Sequence, residues 1–160
     1  MHRVEAHEGE ILALAYTAAA PGSLAPGCSL ASGGGDGLIH LYDVTRQYSH
    51  LKTMPDHKGP VTSVRFALSD SRLLSCGADK TLKFRTLDDS KPCVAHSCAS
   101  TIFDMDIDVT HKYAIAASKD RRLHVWSVAQ AKPVRSYKLG NVGEPYKARP
   151  TPPRACFPLL

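Results

Sequence analysis

No apolar run in this chain approaches the roughly twenty residues that a membrane-spanning helix needs. The longest, Ile11 to Tyr16, is strand-sized, so no membrane partner is expected. The opening segment, MHRVEAHEGE, is polar and partly acidic, unlike a secretory signal. Cysteine is sparse and odd in number: Cys28, Cys76, Cys93, Cys98 and Cys156, at irregular spacing. That excludes a disulfide framework covering every thiol, and there is no C-x-x-C metal knuckle. Reduced, mostly buried thiols in a cytosolic or nuclear compartment are the expectation.

Catalytic signatures are missing too. GGGDG, residues 33–37, has neither the Lys-Ser/Thr pair nor the opening helix of a phosphate loop. Asp104, Asp106 and Asp108 alternate as a calcium loop begins, but the glycine and distant glutamate do not follow. No H-E-x-x-H or G-x-S-x-G occurs, and Cys93, His96 and Cys98 make a crowded, incomplete zinc set. The reading is therefore no enzyme, no metal and no cofactor.

What is present is apolar sequence in short pieces, 43% in all, with eleven glycines and eleven prolines punctuating it. Charge is unevenly placed. Residues 1–126 carry fourteen basic and fourteen acidic side chains, whereas residues 127–160 carry six basic and one acidic. A basic end suggests weak contact with acidic surfaces. It lacks aromatic interleaving and dense arginine clusters, so nucleic acid is not the expected partner.

One phrase occurs three times: LASGGGDGLIHLYD, LLSCGADKTLKFRT and AIAASKDRRLHVWS. The copies centre on Asp36, Asp79 and Asp120, separated by 43 and 41 residues. Repeats of that period point to an array or propeller. Each unit reads as four short strands, rich in Val, Ile, Leu and aromatics and joined by turns of Gly, Asp and Lys. The strands of unit one are ILALAY, CSLAS, LIHLY and YSHLKTM. Unit two has VTSVRF, RLLSC, TLKFR and a poorly formed strand near KPCVA. Unit three has TIFDMDID, YAIAAS, LHVWSV and PVRSYK. No segment sustains a helical period. The expected boundaries are about 7–54, 57–95 and 98–138, followed by an irregular, Pro-rich basic tail over 139–160.

These units resemble WD repeats, the four-stranded blades of a β-propeller. In that family a histidine, a Ser or Thr, a turn Asp and a Trp form one hydrogen-bonded network. The resemblance assigns His7, Ser32 and Asp36 to unit one, with Tyr42 at the tryptophan position. It assigns His57, Ser75 and Asp79 to unit two, where Arg85 stands in for tryptophan and Phe84 precedes it. Unit three supplies Asp120 and Trp126, but Ala116 replaces the hydroxyl and Cys98 falls at the histidine position. The third network is thus expected to be the weakest. RVEAHEGEIL, GLIHLYDV, SCGADKTLKFRT and TIFDMDI further resemble the family of WD repeat protein 62 and mitogen-activated protein kinase-binding protein 1. That resemblance implies a cytoplasmic scaffold for stress-activated kinase signalling, associated with the centrosome or spindle pole.

The expected fold is all-β, a partial propeller of about three blades that this chain alone does not close. Its end sheets would leave apolar faces uncovered, so a fragment of a longer propeller is expected. The expected function is non-catalytic protein–protein interaction, with partners from stress-activated kinase pathways or spindle poles. The alternatives are a poorly folded, nonfunctional truncated isoform, or a weak binder of acidic surfaces or nucleic acid through the tail. Candidate contact residues on turns and outer strands are Tyr48, His50, Lys52, Lys58 and Lys80, and above all Lys119, Arg121 and Arg122, which surround Asp120.

Overall fold

A computed structural model of the chain describes residues 7–17, 29–68, 71–88 and 92–138. Residues 18–28, between the first two expected strands of unit one, and the expected tail at 139–160 lie outside the described residues. Twelve strands are described, in three antiparallel sheets. The first sheet runs β1 (Ile11–Tyr16), β2 (Ser29–Gly34), β3 (Ile39–Asp43) and β4 (Ser49–Met54). The second runs β5 (Val61–Ala67), β6 (Arg72–Gly77), β7 (Thr81–Thr86) and β8 (Val94–Ser97). The third runs β9 (Ile102–Ile107), β10 (Tyr113–Ser118), β11 (Arg122–Ser127) and β12 (Lys132–Lys138). Among the described residues there is no helix, hence none long and apolar enough to cross a membrane.

Each sheet is a meander, because consecutive strands pair antiparallel with their neighbours in chain order. Successive sheets do not pair edge to edge. They stack face to face, with β5 packed against β1 on one side and β9 on the other. This is the arrangement of successive blades in a partial propeller, and the described sheets do not close a ring.

Alternation along the central sheet explains how it serves two interfaces. Leu73 and Leu74 are neighbours on β6 and point to opposite faces, as the period of two requires. Leu73 joins Val61, Val64 and Phe66 against Ala13, Ala31, Ile39, Leu41 and Met54 of the first sheet. Leu74 joins Cys76, Leu82 and Phe84 against Ile102, Met105, Ala114, Ala116 and Trp126 of the third. The outer sheets each pack one face against the central sheet, although on β3 His40 and Tyr42 of the other face are buried too. On β1, Leu12, Leu14 and Tyr16 are 45%, 57% and 54% exposed and alternate with buried Ala13. On β10, Tyr113 and Ile115 are exposed and alternate with buried Ala114 and Ala116.

The first strand of every sheet carries a bulge at its second residue. Pairing skips Leu12 in β1, Thr62 in β5 and Phe103 in β9. This explains why Asp104, Met105 and Asp106 alternate while Phe103 breaks step: a bulge inserts one unpaired residue and resets the faces. In the central sheet the freed Thr62 hydroxyl donates across the stack to the Ile102 carbonyl at 2.8 Å. Asp104 and Asp106 lie on the exposed side of β9 and face Arg65 of the second sheet at 3.9 and 3.4 Å.

Candidate functional site

The conspicuous polar constellations are the turns between the second and third strands of each sheet. In the first, Asp36 is fixed by its own turn. Its carboxylate accepts from the Leu38 amide at 3.0 Å and the Glu8 amide at 3.2 Å. His7 places Nδ1 3.0 Å from that carboxylate and Nε2 2.9 Å from Ser32 Oγ. Tyr42 is buried on β3, its ring tilted towards His40 at 6.3 Å. Burial pushes the Asp36 carboxyl up, but the bonds from Leu38, His7 and Glu8 outweigh it and hold the carboxyl below the usual carboxylate range. His7, Ser32 and Asp36 are therefore one connected set, with Tyr42 beside it rather than bonded into it.

The second turn repeats this geometry. His57 Nδ1 lies 3.0 Å from the Asp79 carboxylate, and its Nε2 lies 2.9 Å from Ser75 Oγ. Asp79 also accepts from the Lys58 amide, the Thr81 amide and the Thr81 hydroxyl at 3.1, 3.1 and 2.8 Å. Burial opposes ionisation of Asp79, yet the bonds from His57, Thr81 and Lys58 keep its carboxyl below the ordinary value. Burial also holds the His57 imidazolium below its ordinary value, against the pull of Asp79. Arg85, at the tryptophan position, instead forks onto Asp56, with Nε 2.9 Å from Oδ2 and Nη2 closing on Oδ1. Phe84 takes the apolar role and is 3% exposed.

Glycine next to the turn is what admits the histidine. A Cβ on Gly34 would stand 2.3 Å from His7 Nδ1, and one on Gly77 would stand 2.7 Å from the Pro60 carbonyl. In the third turn the matching residue is Ser118. Its hydroxyl donates to the Asp120 carboxylate, which in the other two turns is bonded by an imidazole. The residue in the histidine register is Cys98, whose amide donates to the Lys80 carbonyl at 2.7 Å as the His57 amide does to Gly37. The imidazole arrives from elsewhere: His124 on β11 sets Nε2 3.3 Å from Ser118 Oγ and 3.9 Å from Asp120. Trp126 is buried against the second sheet, while Ala116 offers it no hydroxyl.

His124 and Ser118 were thus missing from the sequence reading. The signal available was register: His40, Lys83 and His124 each lie four residues beyond the turn aspartate. Thr81 was also missed, as was Asp56, whose burial depends on the stacking of sheets. Lys119, Arg121 and Arg122 are exposed around the third turn. Arg122 Nε reaches Asp120 at 3.7 Å, and Arg121 holds the left-handed turn position at φ 63°. Tyr48, His50, Lys58 and Lys80 are exposed as well, whereas Lys52 is half-buried along its strand.

The thiols differ from the expectation of general burial. Cys76 is buried and its thiol is pushed up to about 12 by that burial. Cys93 and Cys98 are only half-buried, and burial raises both; Cys28 and Cys156 lie outside the described residues. His96 donates from Nε2 to the Ala131 carbonyl at 2.6 Å rather than joining the two cysteines. Among the described residues, His7, Asp36 and His40 bring metal-ligating atoms within 4.8 Å of one another, a grouping that the sequence reading did not contain.

The WD domain, G-beta repeat family model matches residues 48–85 and 90–127. The chain carries WD repeats. It is 38% identical over 149 residues to WD repeat-containing protein 62 of Sus scrofa, covering 89% of this chain and 9% of that protein. It is 36% identical over 152 residues to mitogen-activated protein kinase-binding protein 1 of Homo sapiens, covering 90% of this chain and 10% of that protein. A more distant relative is nuclear distribution protein nudF of Aspergillus niger, 32% identical over 67% of this chain and 25% of that protein. The chain therefore spans about a tenth of the length of the first two relatives. WD-repeat domains are protein-interaction scaffolds, and the histidine–aspartate–serine sets described above are the parts that hold such a scaffold's turns in place.

Proposed function

We propose that the chain is a non-catalytic docking segment of a WD-repeat scaffold in stress-activated kinase signalling, acting in the cytoplasm and at the centrosome or spindle pole. The observation that carries this reading is the 36% identity with a mitogen-activated protein kinase-binding protein over 90% of the chain. The geometry supports docking rather than turnover. Polar side chains of the turns are spent on one another, and no buried side-chain nitrogen or oxygen among the described residues lacks a partner. Exposed Lys119, Arg121 and Arg122 share one rigid turn, a suitable anchor for an acidic partner surface. Among the described residues, the exposed apolar side chains of the first and third sheets, such as Leu12, Leu14, Tyr113 and Ile115, support action as part of a longer propeller.

The test is direct binding of the purified chain to stress-activated kinases and their activating kinases on a biosensor surface. Saturable binding is expected, weakened at least tenfold by the K119E, R121E and R122E triple variant. No binding to any of these kinases, or binding indifferent to the triple variant, would overturn the reading. A tagged chain in dividing cells is expected at spindle poles; uniform cytoplasmic signal would remove that part. Weak binding of acidic surfaces is a second reading, favoured by the six basic and one acidic residues of 127–160. It requires binding to a polyanion that is lost steeply with salt and abolished by removing that segment.

A further inference from the structure

Outside the turn networks, β3 and β4 bring two imidazoles together. His40 lies opposite Thr53 in the ladder, and a register shift between Leu41 and Tyr42 draws His50 alongside. His40 Nδ1 and His50 Nε2 stand 3.3 Å apart, and Thr53 Oγ1 is 2.9 Å from each. One ring N–H and the single hydroxyl proton supply two hydrogen bonds among these three atoms, so the close approach of the two nitrogens has no proton of its own.

We propose that His40 and His50 chelate a divalent transition-metal ion of the zinc or copper type on the outer edge of the first sheet, with the Thr53 hydroxyl and water completing its shell. Two nitrogens bound tetrahedrally at zinc distances stand about 3.3 to 3.4 Å from each other, the separation found here. One ligand is held and the other is reachable. The buried His40 ring packs edge-on against His7 at 4.4 Å. Exposed His50 lies edge-on to Tyr42 at 5.7 Å and gives the ion its entry. Imidazole is a preferred ligand of these borderline ions. Burial first, then the neighbouring His7 and His50, keeps His40 below the ordinary histidine value and so neutral, the form that binds metal. The alternative grouping of His7, Asp36 and His40 is less suited. Both nitrogens of His7 serve Asp36 and Ser32, and Asp36 holds the turn amides, so an ion there would dismantle the turn.

The experiment uses the full chain without a histidine tag, titrated with Zn(II) by calorimetry and with Co(II) by visible absorption. One equivalent of Zn(II) is expected, with cobalt bands that contain no thiolate charge transfer. His50→Gln, at an exposed position, should weaken binding at least about tenfold, with a cooperative metal-free melt showing that the variant folds. A Cys93→Ser, Cys98→Ser double variant should bind like the parent. Stoichiometric binding that survives His50→Gln, a thiolate band in the cobalt complex, or no binding by the folded chain would each overturn the proposal.

Discussion

Replacing Asp79 by alanine removes the acceptor for four donors at once: His57 Nδ1, the Lys58 amide, and the amide and hydroxyl of Thr81. Their environments decide the cost. The Lys58 amide is at the surface and recovers a water. The His57 side chain has 0% exposure, so its donor has no solvent to turn to. A buried donor left unmatched costs about 1–3 kcal/mol, and a bond to a charged acceptor contributes about 1.5–3 kcal/mol. Thr81 Oγ1 already lies 3.1 Å from His57 Nδ1 and offers partial rescue. Asp79→Ala should then cost about 3 kcal/mol, a fall in melting temperature of roughly 10 °C. Asp120→Ala should cost less, because Asp120 holds no histidine from the strand preceding it and is more exposed. The assay is urea unfolding at low protein concentration. The single tryptophan, Trp126, buried between the second and third sheets, is the reporter. An Asp79→Ala cost under about 1 kcal/mol, or an Asp120→Ala effect of equal size, would refute the ranking.

Three further outcomes are expected. Arg85→Ala leaves the Asp56 carboxylate, 7% exposed, without its fork; a loss of about 2–3 kcal/mol is expected, partly recovered in the Asp56→Ala, Arg85→Ala double variant. Urea midpoints of the three chains decide this, and a double variant no better than the single one would count against it. Acid should destabilise the fold in two stages. His40 and His57 are held below their ordinary 6.5, and Asp36 and Asp79 below 3.8. The unfolded chain therefore takes up protons first, and stability is lost as pH falls through each window. A midpoint that stays level or rises as pH drops from neutral would contradict the assignments. Gly34→Ser should displace His7 from Asp36, since a Cβ there meets the ring at 2.3 Å. Loss of the His7–Asp36 through-space contacts in nuclear magnetic resonance spectra would register this, and an unmoved ring would refute it.

The strands were legible because their chemistry repeats: β-branched and aromatic residues at alternate positions, cut by Gly-Asp turns. ILALAY and YAIAAS match β1 and β10 residue for residue. KPCVA did not, because Pro92 and Cys93 precede the strand and pairing starts only at Val94. Contacts within one unit, such as His57 with Asp79, followed from the repeat. Contacts that cross from sheet to sheet, such as Thr62 to Ile102, are set by stacking and leave no mark in the local sequence. The third turn was half legible: the loss of the hydroxyl at Ala116 and of the histidine at Cys98 could be read directly. The refilling by Ser118 and His124 could not, because it depends on the space that an absent imidazole leaves.

The described sheets are joined by a central sheet packed on both faces, flanked by two sheets that each pack one face against it. Amide hydrogen exchange resolved by peptide mass spectrometry tests this most directly. Protection should be highest in β5, β6 and β7, intermediate in β2, β3 and β10, and lowest in β12, whose seven residues are all exposed. Equal protection across the three sheets, or a maximum in the third, would contradict the stacked arrangement on which the proposed docking role rests.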